Sequence, residues 1–313
     1  MLGLPPLAQS QTARPNLPKN IKIVVPYSPG GGTDIIARHL AERLRNLTGS
    51  MVLVDNKPGA NGAIGTDIVA KSPPDGSAIV LVVDTHLLNP VLMPKLPYDT
   101  FKDLKGVTQV AVSPMVVVTS TQFAGPTARE FVAQVRSTKM NVSYGSSENM
   151  TRLIGNMFVK AYQIEAVHIP YKGGGPLMTD VASGVVTVGV TSVLTAKQLI
   201  DAGRIRAIAI TGPARSRILP DTPTLKELGH EVFERMGTSY SLYAPSATPL
   251  PILNALQGAV AEVIHAPDMS QILANQAATP VGNSVADFNR LIPPQFEFMR
   301  KMALEAGLDK EGS

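Results

Sequence analysis

Short apolar runs alternate with stretches whose apolar positions recur every three or four residues. The runs 21–28 (IKIVVPYS), 51–56 (MVLVDN) and 78–85 (AIVLVVDT) read as strands, and 33–46 reads as a helix. A second set follows, with strands at 115–120, 141–146, 165–172, 186–192 and 205–212 and helices at 127–137, 149–162, 175–183 and 194–202. This rhythm predicts an α/β fold of parallel sheets covered by helices. The tail differs: one strand at 238–245, a long amphipathic stretch at 249–275 and a final helix over 285–306. It has too few strands for a unit of its own, so it is expected to pack back on the first sheet. The expected division is 1–20 as a signal remnant or linker, 21–114 plus 216–313 as a discontinuous first domain, and 115–215 as the second. Two crossings, near 112–118 and 208–218, would then form a hinge. The alternative is two consecutive domains with a helical appendix.

Two strand ends share one device. Pro26-Tyr27 leads to Gly30-Gly31-Gly32, and Pro170-Tyr171 leads to Gly173-Gly174-Gly175, each ahead of a helix. A helix N-terminus has unpaired N–H groups and a partial positive charge, and glycine lets an anion approach that backbone closely. Each such end is worth about 0.3–1 kcal/mol to an anion. Nucleotide readings fail on detail. Neither loop continues into the Gly-Lys-Ser/Thr of a phosphate loop, and PGGGTD is not the dinucleotide fingerprint, which Gly59, Gly62 and Gly65 resemble only loosely. A carboxylate fits better, since backbone amides and water can hold it without arginine.

Candidate ligand contacts are Tyr27, Ser28, Gly30, Gly31, Gly32, Thr33 and Asp34 at the first loop, and Tyr171, Lys172, Gly173, Gly174 and Gly175 at the second. Ser146, Ser147, Thr191 and Ser192 stand at strand ends, and His86 follows a strand. Structural roles compete at each. Thr33, Asp34 and the serines suit helix caps, the tyrosines suit core packing, and Lys172 suits a solvated strand end.

Length and composition narrow the classes. A chain of 313 residues favours two domains at roughly 150 residues each. The net charge of +4 is not concentrated in any basic block, which argues against a nucleic-acid partner. There are no cysteines, and no run approaches the roughly 18 apolar residues of a membrane span. The first residues, MLGLPPLAQSQTARPNLPKN, lack the basic start and long apolar core of a full signal peptide and read as a truncated export segment or remnant. His39, His86, His168, His230 and His265 form no HxH or HxxxH pair, and no GxSxG elbow occurs. No metal, cofactor or catalytic residue is therefore expected. His168 reads as a core or edge histidine within its strand.

Several ordered motifs then coincide: VVPYSPGGGTDIIAR, VDNKPGANGAIG, AKSPPDG, NPVLMPKLPYD, HIPYKGGGP, PARSRILPDTPTLKELG and YAPSATP. From about residue 20 to the C-terminus the chain resembles the solute-binding receptors of tripartite tricarboxylate transporters, the Bug receptors. The resemblance implies a two-domain periplasmic-binding-protein clamshell of the Venus flytrap type, located in the periplasm. It implies closure on a carboxylate-bearing small molecule and delivery to membrane permease subunits. The carboxylate would be held at Ser28, Gly30, Gly31, Gly32, Thr33 and Asp34 on one side and Tyr171, Lys172, Gly173, Gly174 and Gly175 on the other. Three departures fall where the far end of a ligand would be read. Ser239-Tyr240-Ser241 replaces a segment that usually carries Trp and Gly, SSENMT is short and glycine-free, and His86 stands where small or amide residues are common. Ser239 and Tyr240 thereby join the candidates, and a dicarboxylate or an aromatic carboxylate is the expected ligand. Two alternatives remain open: a doubly wound enzyme acting on a phosphorylated or carboxylated substrate, and a ligand-sensing partner of a membrane histidine kinase.

Overall fold

The computed structural model describes residues 17–308 apart from 94, 124 and 276, so most of the expected remnant or linker at 1–20 lies outside the described residues. Two helix-covered sheets organise the chain. The first contains β1 (Asn20–Val25), β2 (Met51–Asn56), β3 (Ala78–Val82), β4 (Leu104–Ser113), β10 (Thr238–Pro245) and β11 (Thr279–Pro280), in the order β11-β4-β10-β3-β1-β2. The second contains β5 (Met115–Ser120), β6 (Val142–Ser146), β7 (Ala166–Pro170), β8 (Val188–Ser192) and β9 (Ile205–Ile210), in the order β7-β6-β8-β5-β9. The helices are α1 (Gly32–Thr48), α2 (Ala63–Ala70), α3 (Thr85–Leu92), α4 (Ala128–Thr138), α5 (Asn149–Ala161), α6 (Gly174–Ser183), α7 (Val193–Asp201), α8 (Leu250–His265), α9 (Pro267–Ala274) and α10 (Val285–Glu305).

Both sheets are mixed, which corrects the expectation of parallel ones. β1 is parallel to β2 and β3, but β10 is antiparallel to β3 and β4. In the second sheet β6 is parallel to β7 and β8, while β5 is antiparallel to β8 and β9. Parallel neighbours need a crossover, usually a helix. β4 runs into β5 directly, changing sheets without one, and these strands oppose their neighbours.

Strand periodicity divides the core. Ile23, Val25, Ile79 and Leu81 face α1 and α8, whereas Val24, Val80 and Val82 face α2, α3 and α10. Val117 shares its core with α4 and α5, and its neighbours Val116 and Val118 share theirs with α6 and α7. Alternate side chains of a strand point to opposite faces, so each strand serves two layers. The tail packs on the first sheet, as expected: α8 lies on α1 and β4, and α10 on β4 and α3. The end of α10 also reaches the second sheet's helices, where Lys160 Nζ donates to the Ala306 carbonyl.

Three elements depart from the sequence reading. The stretch 249–275 is two helices, because Pro267 holds Ala266 at ψ 140° and ends α8. Residues 85–92 turn helical immediately after β3, and β4 has no counterpart among the expected strands. Pro293 and Pro294 do not interrupt α10. Both lie on its exposed face, where water can satisfy the carbonyls they leave unpaired.

The two sheets meet at paired strands. β4 ends at Ser113 and β5 begins at Met115, while Ser113 pairs with Thr238 at the start of β10. The Met115 N–H donates to Thr211 Oγ1 at 2.8 Å, and the Thr211 N–H returns to the Met115 carbonyl at 2.9 Å. The chain leaves the second sheet at Ile210, within the expected crossing, but rejoins the first only at Thr238. The intervening segment buries Leu225, Phe233 and Met236 in the shared core.

Asp84 ties three elements together below this hinge. Its Oδ2 accepts the Ser239 N–H of β10 at 2.7 Å, and its Oδ1 accepts Gln295 Nε2 of α10 at 2.9 Å. Burial pushes its carboxyl up to about 7; the Ser239 and Gln295 hydrogen bonds oppose the rise, and the charge of Glu148 adds to it. A folded-state value above the unfolded one means that the native protein binds more protons between the two, so stability falls as pH rises through that window. Asp84 should therefore contribute a fall in unfolding free energy of up to about 1.4 kcal/mol per pH unit between about pH 4 and pH 7. In urea titrations over this range Asp84→Asn should remove that contribution and make the slope of unfolding free energy against pH more positive than in the wild type, and an unchanged slope would show that Asp84 is ionised throughout.

Candidate ligand-binding cleft

The two glycine loops, distant in sequence, meet. Ser28 Oγ donates to the Lys172 carbonyl at 3.3 Å, across 144 residues of chain. A methyl group built on Gly173 would lie 3.5 Å from Ser28 Cβ. One built on Gly32 would come within 2.7 Å of the Tyr240 hydroxyl and 3.2 Å of Ser192 Oγ, and one on Gly174 within 2.8 Å of Thr195 Cγ2. Gly32 and Gly174 are glycines because neighbouring elements leave no room for a side chain. Between the loops lies a cavity of about 80 Å³.

Four helices, α1, α5, α6 and α7, begin at this cavity, and α5 is capped by its own Glu148. α7 is capped by its own Ser192, whose Oγ accepts the Thr195 N–H at 3.3 Å. α1 and α6 start from Gly31 and Gly173, and neither has a side-chain cap. Their first N–H groups are the donors an incoming anion would meet.

The motif NKPGANGAIG braces the first loop. Gly62, at φ 86°, lets the Tyr27 ring approach to about the distance at which a methyl would touch it, 3.2 Å. A methyl on Gly65 would strike Pro26 Cβ at 2.8 Å and the Lys57 carbonyl at 2.9 Å. These glycines serve close packing behind the loop.

Of the sequence candidates, Tyr27, Ser28, Gly31, Gly32, Thr33, Ser147, Lys172, Gly173, Gly174, Gly175, Thr191, Ser192 and Tyr240 line the cavity. Six others do not. Gly30 donates its N–H to Asp34 Oδ2 at 3.0 Å, and Asp34 also accepts from Arg38 Nε at 2.9 Å and Asn56 Nδ2 at 3.0 Å. Burial works against the Asp34 charge, but the hydrogen bonds from Arg38, Gly30 and Asn56 outweigh it and hold its pKa below the ordinary value. Asp34 thus shapes the loop from behind and neither caps α1 nor faces the cavity. Ser146 Oγ is paired with His168 Nε2 at 2.7 Å along the β6–β7 edge. The Tyr171 hydroxyl donates to Asp180 at 2.6 Å. Ser239 sits beside Tyr240 on β10 and so faces the other way, donating its N–H to Asp84 and accepting from Gln109 Nε2 at 2.9 Å. It opens instead on a concavity of about 800 Å³ behind the hinge, which carries neither glycine loop.

His86 is corrected most fully. It is buried in the first core, its ring 4.7 Å from that of Tyr243 and 6.1 Å from that of Tyr98. Burial lowers its pKa to about 4, so the ring is neutral. The cause is the turn into α3 directly after β3, which carries residue 86 beneath the sheet end.

Sequence reasoning missed Glu148, Thr195, Thr238, Val83 and Met115, all of which line the cavity. The signal for Glu148 was present in the glycine-free SSENMT. Glu148 precedes α5, and its Oε2 accepts Thr85 Oγ1 of the opposite half at 3.1 Å. Nearby, Asn149 Nδ2 donates to Asn89 Oδ1 at 3.0 Å, and the Met150 N–H donates to Thr85 Oγ1 at 3.2 Å. These bonds join α3 to α5 on the inner side of the cleft. No group of three or more potential metal ligands occurs among the described residues.

This fold is shared with known proteins. BugT of Bordetella pertussis is 32% identical over 284 residues, covering 90% of this chain and 85% of its own. A solved structure described as periplasmic binding protein BugD superposes with a TM-score of 0.88 at 28% identity, covering 95% of this chain and 100% of that one. Another, described as R. palustris Rpa4515 with adipate, gives 0.89 at 28% identity, covering 95% and 99%. The architecture is that of the periplasmic binding proteins, and the reading as a receptor rather than an enzyme agrees with these relatives. Residues 36–308 match the family described as the tripartite tricarboxylate transporter family receptor, and the chain belongs to that family.

Proposed function

We propose that this chain captures a small carboxylate between its two glycine-loop half-sites and delivers it to membrane permease subunits of a tripartite tricarboxylate transporter. The observation that carries this reading is the meeting of two uncapped helix N-termini, α1 and α6, at one cavity bridged by Ser28 and Lys172. Such ends favour an anion, and two of them converging suit a planar carboxylate better than a bulky polyphosphate. The adipate bound to the R. palustris relative supports the same ligand chemistry. Dicarboxylates and aromatic carboxylates are the leading classes. We place the protein in the periplasm, in line with its relatives; no helix among the described residues is long and apolar enough to cross a membrane.

In this reading the halves, 21–114 plus 216–313 and 115–215, open and close about the paired strands at Met115 and Thr211. Closure brings the half-sites together and excludes water, and reopening releases the ligand to the permease.

A thermal-shift screen with dicarboxylates, tricarboxylates, aromatic carboxylates, acidic amino acids and nucleotides tests the ligand class. A ligand at about 100 times its Kd should add about 2.7 kcal/mol of stability. A shift with carboxylates and none with nucleotides is expected; a response confined to nucleotides or phosphorylated compounds would overturn the proposal. Gly31→Val and Gly175→Val, at lining positions where a methyl group meets nothing closer than 3.6 Å, should each weaken binding of the responding ligand at least tenfold, about 1.4 kcal/mol, while circular dichroism of the free protein stays unchanged. Undiminished affinity in both variants would sink the two-loop site.

A further inference from the structure

One group in the cleft is left unexplained by a site built for an anion. Glu148 lines the same cavity as the glycine loops, yet it is an acid. Tyr27 and Tyr240 line the cavity with it, and its charge is felt by both tyrosine hydroxyls. Its carboxyl accepts from the Thr85 hydroxyl and, as the cap of α5, from the backbone N–H of Thr151, while burial pushes its pKa up to about 7. Lys172 lines the cavity from the second glycine loop. The one cavity is therefore lined both by donors, the helix N–H groups and Lys172, and by an acceptor, Glu148.

We propose that Glu148 reads the far end of the bound carboxylate and selects ligands that present a hydrogen-bond donor there. An amide, a hydroxyl, an ammonium or a protonated carboxyl meets this requirement. This rests on the carboxylate reading above and narrows it. A fully ionised dicarboxylate would set its second carboxylate against Glu148 in a buried site. Two carboxylates so placed cannot both stay ionised and must share a proton. An amide or ammonium donates to Glu148 without that cost. A dicarboxylate enters only with one proton added, on itself or on Glu148. Tyr27 and Tyr240 line the same cavity, and their hydroxyls are both donors and acceptors, so Glu148 is the group that sets the polarity.

Glu148 also touches Thr85 and stands at the start of α5, which is a structural role of its own. Glu148→Gln separates the two. Glutamine keeps the side-chain length and an oxygen that accepts from Thr85, but it removes the charge and adds a donor. The experiment is isothermal titration of the wild type and Glu148→Gln with matched sets of probes: succinate, succinamate and 4-aminobutanoate, then terephthalate and its monoamide, all at pH 8. The expected result is wild-type binding of the amide or amine at least tenfold tighter than the dicarboxylate of the same frame. In Glu148→Gln that preference should fall at least tenfold or reverse, because the new amide N–H donates to a carboxylate.

Carboxylate binding with the same dicarboxylate-to-amide ratio in both proteins would overturn the role of Glu148 and leave the glycine-loop site standing. So would wild-type preference for the fully ionised dicarboxylate. Binding of none of the probes by either protein would overturn the carboxylate reading itself and the inference with it. The melting temperature of each free protein, compared without ligand, separates a loss of fold from a change of selectivity.

Discussion

Backbone N–H groups at a helix start must find partners, and in α1 and α6 no side chain supplies them. A buried donor left unpaired costs about 1–3 kcal/mol. The chain holds two such helix starts against one cavity, and much of the molecule serves that arrangement. Gly32 and Gly174 allow the close approach that a side chain would block. Asp34, Arg38 and Asn56 fix the first loop from behind. Gly62 and Gly65 let the following segment pack against Tyr27 and Pro26. At α6 these donors remain open to water, since Gly174 is half-buried and Gly175 exposed.

The hinge and the buried acids form the second layer of the design. The two sheets are linked where β4 passes into β5 and where β10 begins, and the Met115–Thr211 bonds hold the crossings side by side. Asp84 lies under this link and Glu148 above it in the cleft, each with its carboxyl pushed up to about 7 by burial. The contacts of Thr85 with Glu148 and Met150, and of Asn89 with Asn149, join α3 to α5 across the cleft. The contacts that line the cavity therefore also bury acid.

The strand–helix rhythm, the tail's return to the first sheet and the glycine loops were all legible along the chain. Each is a local signal: an apolar run, a proline, three glycines, then an amphipathic helix. The mixed strand directions were not legible, because the direct passage from β4 to β5 leaves no mark in periodicity. The long stretch 249–275 reads as one helix by its apolar pattern, and Pro267 divides it.

The sequence by itself determined where glycine loops lead into uncapped helix starts, since glycine tolerance and helix starts are written in neighbouring residues. Tertiary structure alone decided which side chains face the cavity. Ser239 and Tyr240 are adjacent, yet strand alternation sends one to each side of β10. His86 follows a strand, yet the turn into α3 places it in the core. Glu148 stands beside Ser147 in an unremarked loop, and only closure against Thr85 brings it into the cleft. Facing depends on pairing and packing between residues far apart in the chain, and no local pattern carries that information.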